Sequence, residues 1–301
     1  MAARPTRRLT RESMETTLAS TASEPRVPCV TVLSGPVAGF TARLPDGRQV
    51  VGRDQGSWLC VDEDGVSRAH LAFLVEGMRV QAQDLGSTNG TFCNGQPLTT
   101  RVLQDGDQLR LGETTCLKFE HKTTTEHALL QRQYEAATHD ALTGCFNRKY
   151  LLERLSAEVA FTARHPQPLA VLMVDLDHFK NVNDQHGHAA GDLVLTRVAR
   201  MMSSLLRLGD VLCRYGGEEF VILLRETTVP SAVLAAERLR RGVEHLGIPH
   251  AGTDLRVTLS IGVTGTDGTT PVTAQALLDW ADHALYAAKN GGRNRVVAHT
   301  P

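Results

Sequence analysis

The sequence contains no pair of cysteines spaced C-x-x-C. Its six cysteines (Cys29, Cys60, Cys93, Cys116, Cys145 and Cys213) are scattered along 301 residues. That spacing excludes a zinc ribbon and a disulfide framework, and predicts buried, reduced thiols. No apolar run approaches the roughly 20 residues of a membrane-spanning helix, and the N-terminus lacks the apolar core of a signal peptide. A cytoplasmic protein with no membrane contact is expected. Excess charge of one sign is also missing. The formal net charge is −1, so no global field draws the chain to nucleic acid, and any basic site must be local. What is present is ordinary globular composition, 42% apolar, at a length that suits two domains of about 150 residues.

Residues 1–28 are basic, rich in Thr, Ser and Arg, with three prolines. They are expected to be a disordered tail. Arg7-Arg8-Leu9-Thr10 is a charge pattern that a basophilic Ser/Thr kinase reads, and Thr6, Thr16, Thr17 and Thr21 are further hydroxyls. A solvated tail without a role is the plain alternative. From residue 29 to 120 the texture changes to short alternating runs over 29–33, 40–44, 49–52, 70–75, 79–84, 108–111 and 115–119. Turn residues separate them, among them Pro45-Asp46-Gly47, Asn94-Gly95 and Asp105-Gly106. Many short strands with frequent turns predict an all-β sandwich.

Within this stretch stand Gly52-Arg53, Ser67-Arg68-Ala69-His70, Asp84 to Thr91 with Ser87-Thr88-Asn89-Gly90, Asn94-Gly95, and Leu103 to Gly112. In that order and spacing the segment resembles the forkhead-associated (FHA) domain. The resemblance implies phosphothreonine binding. A phosphothreonine carries about two negative charges and three acceptor oxygens, which an arginine, hydroxyls and an amide on loops can meet. It assigns Arg53, Ser67, Arg68 and Thr88 to the phosphate and Asn89 to the ligand's main chain, with His70, Gly52 and Gly90 architectural. Read without the resemblance, Arg68 is a surface charge.

Residues 121–139 lose turn residues and predict a linker helix, with Leu129, Leu130, Tyr134 and Ala137 as a short apolar stripe. It suits either a short coiled coil with a second copy or packing on its own domain. From residue 140 the rhythm is α/β, with helix over 141–163 and a continuous apolar strand over 168–174 ending in Asp175-Leu176-Asp177. Helices follow from 178 and over 191–208. A hairpin comes next, then a helix over 231–246, a strand over 255–264, a helix over 273–290 and a last strand over 294–298. The hairpin tip is Arg214-Tyr215-Gly216-Gly217-Glu218-Glu219-Phe220. Alone it reads as a solvated turn. Acids at strand ends mark sites in α/β folds, and Asp175 at a neighbouring strand end gives Glu218 a partner for a divalent cation. Amides of residues 176–180 at a helix start, with Lys180, suit phosphate. Asn183 and Asp192 have edges suited to guanine, and Lys289 and Arg293 suit phosphates. Their plain readings are a turn former, a helix cap and surface charge.

Asp140-Ala141-Leu142-Thr143-Gly144 with Asn147-Arg148, the run from Asp175 to His188 with Gly191-Asp192, the hairpin tip, Ser260-Ile261-Gly262, and Tyr286 to Asn294 together resemble the GGDEF domain of diguanylate cyclases. The resemblance covers 139–298. Glu218 stands where the family name has Asp, and Cys145 where leucine is usual. The expected architecture is therefore a sandwich, a linker helix over 121–139, and a nucleotide-cyclase-like α/β domain over 140–301 with a mixed central sheet. The implied activity is condensation of two GTP into cyclic di-GMP and two pyrophosphates by a homodimer, with Mg²⁺ or Mn²⁺. By position, Asp175, Glu218 and the Leu176 carbonyl hold metal, and Glu218 and Glu219 are catalytic. His178, Phe179, Lys180, Asn183, Asp192, Gly216, Gly217, Lys289 and Arg293 bind GTP. Arg207 and Asp210 resemble the family's R-x-x-D product-inhibition site, where the plain reading is an intrahelical ion pair. The expected partners are GTP, cyclic di-GMP, a Ser/Thr kinase, and a phosphothreonine peptide from the tail or another protein. The competing function is a weak or inactive cyclic di-GMP receptor or phosphothreonine scaffold.

Overall fold

A computed structural model describes residues 24–35, 37–54, 56–207 and 209–299. The tail threonines Thr6, Thr10, Thr16, Thr17 and Thr21 lie outside the described residues. The chain divides into two units between Tyr134 and Glu135.

The described residues of the first unit form eleven short strands: β1 Arg26–Ser34, β2 Thr41–Arg43, β3 Gly47–Gly52, β4 Leu59–Cys60, β5 Leu71–Glu76, β6 Arg79–Asp84, β7 Thr91–Cys93, β8 Gln96–Leu98, β9 Thr100–Val102, β10 Gln108–Leu111 and β11 Thr115–Thr123. They form two sheets, ordered β2-β1-β11-β10-β7-β8 and β4-β3-β5-β6-β9. Alternation puts Val30, Val32, Leu109, Leu117 and Phe119 of one sheet in the same core as Val51, Leu71 and Phe73 of the other. The strand β1 starts earlier than expected, because Arg26–Pro28 pair with His121–Thr123 at the far end of β11. Strands β4, β7, β8 and β9, at two or three residues, are too short to show a period in sequence. The linker helix α1 runs Thr124–Thr138. It starts later than expected because Thr123 and Glu126 close a reciprocal cap, Thr123 N to Glu126 Oε2 at 2.8 Å and Glu126 N to Thr123 Oγ1 at 3.1 Å. Of its expected stripe, Leu129 is 55% exposed, while Tyr134 meets Phe40 edge-on at 5.6 Å.

The second unit contains β12 Phe146–Asn147, α2 Arg148–Thr162, β13 Leu169–Leu176, α3 Phe179–His186, α4 His188–Leu205, β14 Val211–Gly216, β15 Glu219–Arg225 and α5 Val229–Glu244. It continues through β16 Ile248–His250, β17 Thr253–Leu255, β18 Leu259–Thr266, α6 Ala274–Asn290 and β19 Val296–Ala298. The main sheet is mixed, ordered β12-β14-β15-β13-β18-β19. Its centre is β13, all eight residues of which are buried, antiparallel to β15 and to β18. Leu172 and Val174 join the core under α4 and α5, while Val171 and Met173 join the core under α2 and α6. A strand covered on both faces has no use for alternation, hence its unbroken apolar run.

Two expectations change. The helix expected over 141–163 begins only at Arg148. Asp140 Oδ1 takes the Thr143 N–H (2.9 Å) and hydroxyl (2.7 Å) in a turn, and Asn147 then caps the helix by accepting from Tyr150 N at 3.0 Å. The strand expected over 255–264 is two strands, because Thr253–Leu255 pairs with β16 and only Leu259–Thr266 joins the main sheet. None of the six cysteines forms a disulfide, four of them are buried, and burial pushes the Cys213 thiol up to about 12.

Candidate active site

The register of the sheet brings the acids together. Asp175 sits opposite Glu219 on β15 and opposite Ser260 on β18. Leu176 N reaches the Glu218 carbonyl at 3.4 Å. Asp175, 6% exposed, bonds Lys289 Nζ of α6 at 2.7 Å through its side chain. Burial pushes the Asp175 carboxyl above its ordinary value. Lys289 opposes that rise and the Asp177 charge adds to it. Burial and then the Asp175 charge raise Glu218 and Glu219 as well. Burial, with the Asp175 charge acting on both glutamates, makes this a site short of positive charge.

The turn that carries Glu218 is held open. Gly217 has φ +50°, which glycine adopts freely, and Gly216 sits at a register shift between β14 and β15. A Cβ on either glycine would meet nothing within 4 Å. Packing inside the protein therefore does not demand Gly216, and the space above it is open. Arg214 fixes the turn from below. It donates to the Gly217 carbonyl from Nε (3.0 Å) and Nη2 (2.8 Å), and to both Asp140 oxygens at 3.2 Å.

Past β13 the chain enters α3 through His178, exposed at φ +58°. Phe179 is in the core, at 6% exposed, while Lys180 is exposed. Asn183 leans on α4. A Cβ on Gly191 would lie 2.0 Å from Asn183 Oδ1, so Gly191, one residue before exposed Asp192, is the gap that lets Asn183 approach α4. Arg293 follows α6 at φ +61°, close enough to Asp175 to pull its carboxyl down. The expected site residues from β13, α3, α4, the hairpin and α6 thus share the end of the sheet where β13 stops.

Arg207 and Asp210 do not join them. They lie after α4 has ended at Leu205, at the start of β14, which puts them about 17 Å of strand from the turn. The intrahelical pair is excluded. Instead Asp210 Oδ2 accepts from Arg207 N at 2.9 Å in a turn. The two residues border a separate cavity of about 400 Å³ with Arg200, Ser203, Cys145 and His139.

Three residues were missed by sequence reasoning. Asp140 and Arg214 pair across 74 residues, which no local pattern shows. Asp177 is 4% exposed and accepts from Ser260 Oγ (2.6 Å), Thr258 Oγ1 (2.7 Å) and Asn294 N (3.0 Å). Its only signal was the second acid of Asp175-Leu176-Asp177.

In the first unit the loop residues converge at the ends of β3, β5 and β7. Arg53 Nη1 pairs with Asp64 Oδ1 at 2.7 Å. Ser67 Oγ takes the Thr88 N–H at 3.0 Å and meets Thr88 Oγ1 at 3.4 Å. Asn89 Nδ2 donates to the Gly65 carbonyl at 2.9 Å. Arg68 is exposed. His70 is fully buried and links the loops, accepting from Ser67 N at 3.0 Å and meeting the Gly90 carbonyl at 3.3 Å. Asp84 braces the next turn. Burial would raise its carboxyl, but hydrogen bonds from Ser87, Thr91 and Gly86 outweigh it and hold the group low.

A sequence model described as the diguanylate cyclase GGDEF domain matches residues 137–295, more than half of the chain. The chain belongs to the GGDEF family. An FHA domain precedes it, matched over residues 49–112. Among curated proteins, diguanylate cyclase A of Treponema denticola is 40% identical over 167 residues, covering 54% of this chain and 44% of that protein. The response regulator PleD of Caulobacter vibrioides is 41% identical over 172 residues, covering 56% and 37%. This GGDEF protein thus spans less than half the length of these two relatives. The solved diguanylate cyclase SiaD of Pseudomonas aeruginosa, in complex with its activator SiaC, has a TM-score of 0.54 at 40% identity, covering 58% of this chain and 66% of that one. The coiled coil and GGDEF domain of DgcB from Caulobacter crescentus, in complex with c-di-GMP, gives 0.54 at 29% identity, covering 58% and 92%. Among the described residues, no helix is long and apolar enough to cross a membrane.

Proposed function

We propose that this protein is a diguanylate cyclase that condenses two GTP into cyclic di-GMP and two pyrophosphates. The carrying observation is the cluster of Asp175, Glu218 and Glu219, with Lys289 bonded to Asp175 and open space above Gly216 and Gly217. Asn183 and Asp192 receive guanine: a carboxylate accepts from the ring N–H and exocyclic amine, and the amide serves the remaining edge. Backbone amides at the start of α3, with Lys180, Lys289 and Arg293, hold the phosphates.

Among the described residues, no group of three or more His, Cys, Asp or Glu side chains is set to hold a metal ion. The donors present still suit Mg²⁺ or Mn²⁺, which are commonly held by one or two carboxylates together with substrate phosphates. Asp175, Glu218 and the Leu176 carbonyl are such a set. Bound there, the cation offsets phosphate charge and makes the α-phosphorus more electrophilic. Glu218, at the hairpin tip beside Asp175, takes the proton of a ribose 3′-hydroxyl. The 3′-oxygen bonds to the α-phosphorus of the second GTP, the bond to the β-phosphate oxygen breaks, and pyrophosphate leaves. The same step in the opposite sense closes the ring. Two protomers present their substrates antiparallel, which requires a symmetric pair.

Regulation belongs to the same reading. Arg53, Ser67, Arg68, Thr88 and Asn89 bind a phosphothreonine made by a Ser/Thr kinase, on this chain's tail or on another protein, and binding controls pairing. Arg207 and Asp210 bind cyclic di-GMP and lower turnover. Purified full-length protein with GTP and Mg²⁺ or Mn²⁺ should yield cyclic di-GMP and pyrophosphate by chromatography. No product, even when the protein is forced to dimerise, would leave a cyclic di-GMP receptor as the function. Arg53→Ala should abolish phosphopeptide binding and Glu218→Gln should abolish turnover.

A further inference from the structure

The loop after α6 carries two consecutive non-glycine residues with left-handed backbone, Arg293 at φ +61° and Asn294 at φ +47°. This conformation is unfavourable for L-residues, and two in a row persist only where their surroundings hold them. Arg293 is held through its own main-chain atoms. Its N–H donates to the Ala288 carbonyl at 3.1 Å, and its carbonyl accepts from Arg295 Nε at 3.1 Å.

Asn294 is fastened on three sides. Its N–H donates to Asp177 Oδ2 at 3.0 Å, its Nδ2 donates to Glu244 Oε1 at 2.6 Å, and its Oδ1 accepts from Arg240 Nη1 at 2.7 Å. Each partner is itself fixed. Asp177 also takes the hydroxyls of Ser260 and Thr258. Arg240 is bonded to Glu237 (3.0 Å) and to Glu244 (2.9 Å). The loop is thereby tied to the end of β13 on one side and to α5 on the other. An amide alone satisfies the directions required, because one edge must accept from a guanidinium while the other donates to a carboxylate.

We infer that Asn294 is a positioning residue for the triphosphate: the network of Asp177, Asn294, Glu244 and Arg240 holds the strained turn that aims Arg293 at the phosphates beside Asp175. This rests on the proposed role of Arg293 and Lys289 as phosphate contacts. Asn294→Asp keeps shape and backbone but sets a carboxylate oxygen against Glu244 where the hydrogen bond is 2.6 Å. Adding Glu244→Gln restores a donor and an acceptor with the bond reversed.

The test uses the full-length chain, the thermal midpoint, the KM for GTP, and the Kd of a non-reacting α,β-methylene GTP analogue. Asn294→Asp should weaken analogue binding and raise KM about tenfold with kcat changed less, and Asn294→Asp with Glu244→Gln should recover to within about threefold of the parent. In an Arg293→Ala background, Asn294→Asp should add less than about twofold, since its route to the phosphates is gone. The inference is overturned if Asn294→Asp lowers the midpoint and leaves analogue affinity intact, if Glu244→Gln gives no rescue, or if the effect adds in full to Arg293→Ala. Analogue binding reads the loop even in a protein that makes no cyclic di-GMP, so loss of the cyclase reading and loss of this one are separate results. A parent protein that binds no analogue overturns both.

Discussion

Gly191→Ala should separate recognition from stability. Alanine is the better residue in a helix interior by about 0.8–1.0 kcal/mol, so propensity alone favours the variant. Space decides otherwise. The new Cβ would lie 2.0 Å from Asn183 Oδ1 and 3.1 Å from the Phe179 ring. The second contact is relieved by a few tenths of an ångström; the first forces a side chain to move. Asn183 Oδ1 is the end of a flexible chain, so the amide swings aside cheaply. With the propensity gain offsetting the residual crowding, stability should change by no more than about 1 kcal/mol. On the proposed role of Asn183, the displaced amide should no longer meet guanine. An unpaired polar edge costs about 1–3 kcal/mol, or about 5- to 150-fold in affinity at 1.4 kcal/mol per decade. Thermal midpoint and Kd for the non-reacting GTP analogue, measured beside Asn183→Ala, provide the assay. Both variants should lose affinity by similar factors, and the double variant should lose no more, because the same amide is removed twice. Full affinity in Gly191→Ala, with a midpoint within about 4 °C of the parent, would refute the placement of Asn183 against guanine.

Three further outcomes follow from the same geometry. Arg214→Ala strips Asp140 of its cationic partner and the Gly217 carbonyl of two donors. It should cost about 1–3 kcal/mol in urea unfolding and lower kcat about tenfold in pyrophosphate release, with Arg214→Lys recovering only part because it lacks the fork. Glu219 has a folded-state affinity for protons raised by burial and by Asp175, so it binds its proton more tightly folded than unfolded. Its charge therefore subtracts stability as pH rises above the ordinary carboxylate range. Glu219→Gln should raise the thermal midpoint at neutral pH in EDTA, with the gain fading below about pH 4; a gain that persists there has another origin. His70→Ala removes the acceptor for Ser67 N and the contact to the Gly90 carbonyl. It should cost about 2–4 kcal/mol in urea unfolding and weaken phosphothreonine peptide binding through Ser67 and Thr88.

Much of the site was legible because its residues cluster in short motifs at element ends. Asp175 follows an apolar run, Glu218 and Glu219 follow two glycines, and Lys289 and Arg293 close a helix, so local chemistry marks each one. What was misjudged locally came from competing hydrogen bonds. Asp140 and Thr143 hold a turn where propensity reads helix, and Thr123 with Glu126 resets the start of α1.

By itself, the sequence determined two domains of different texture, a strand buried on both faces, and a set of acids, amides and bases that suit a nucleotide. It did so because burial and turn chemistry leave periodic, local marks. The tertiary structure alone decided which of these residues meet. Register across β15, β13 and β18 sets Asp175 beside Glu219 and Ser260. The distance along β14 keeps Arg207 and Asp210 apart from the turn. The bracing roles of Asp177, Arg214 and Asn294 became visible only through partners at sequence separations of 117, 74 and 50 residues. Pairing at such range is set by how the sheet and helices pack, and the packing leaves no pattern in any one stretch of chain.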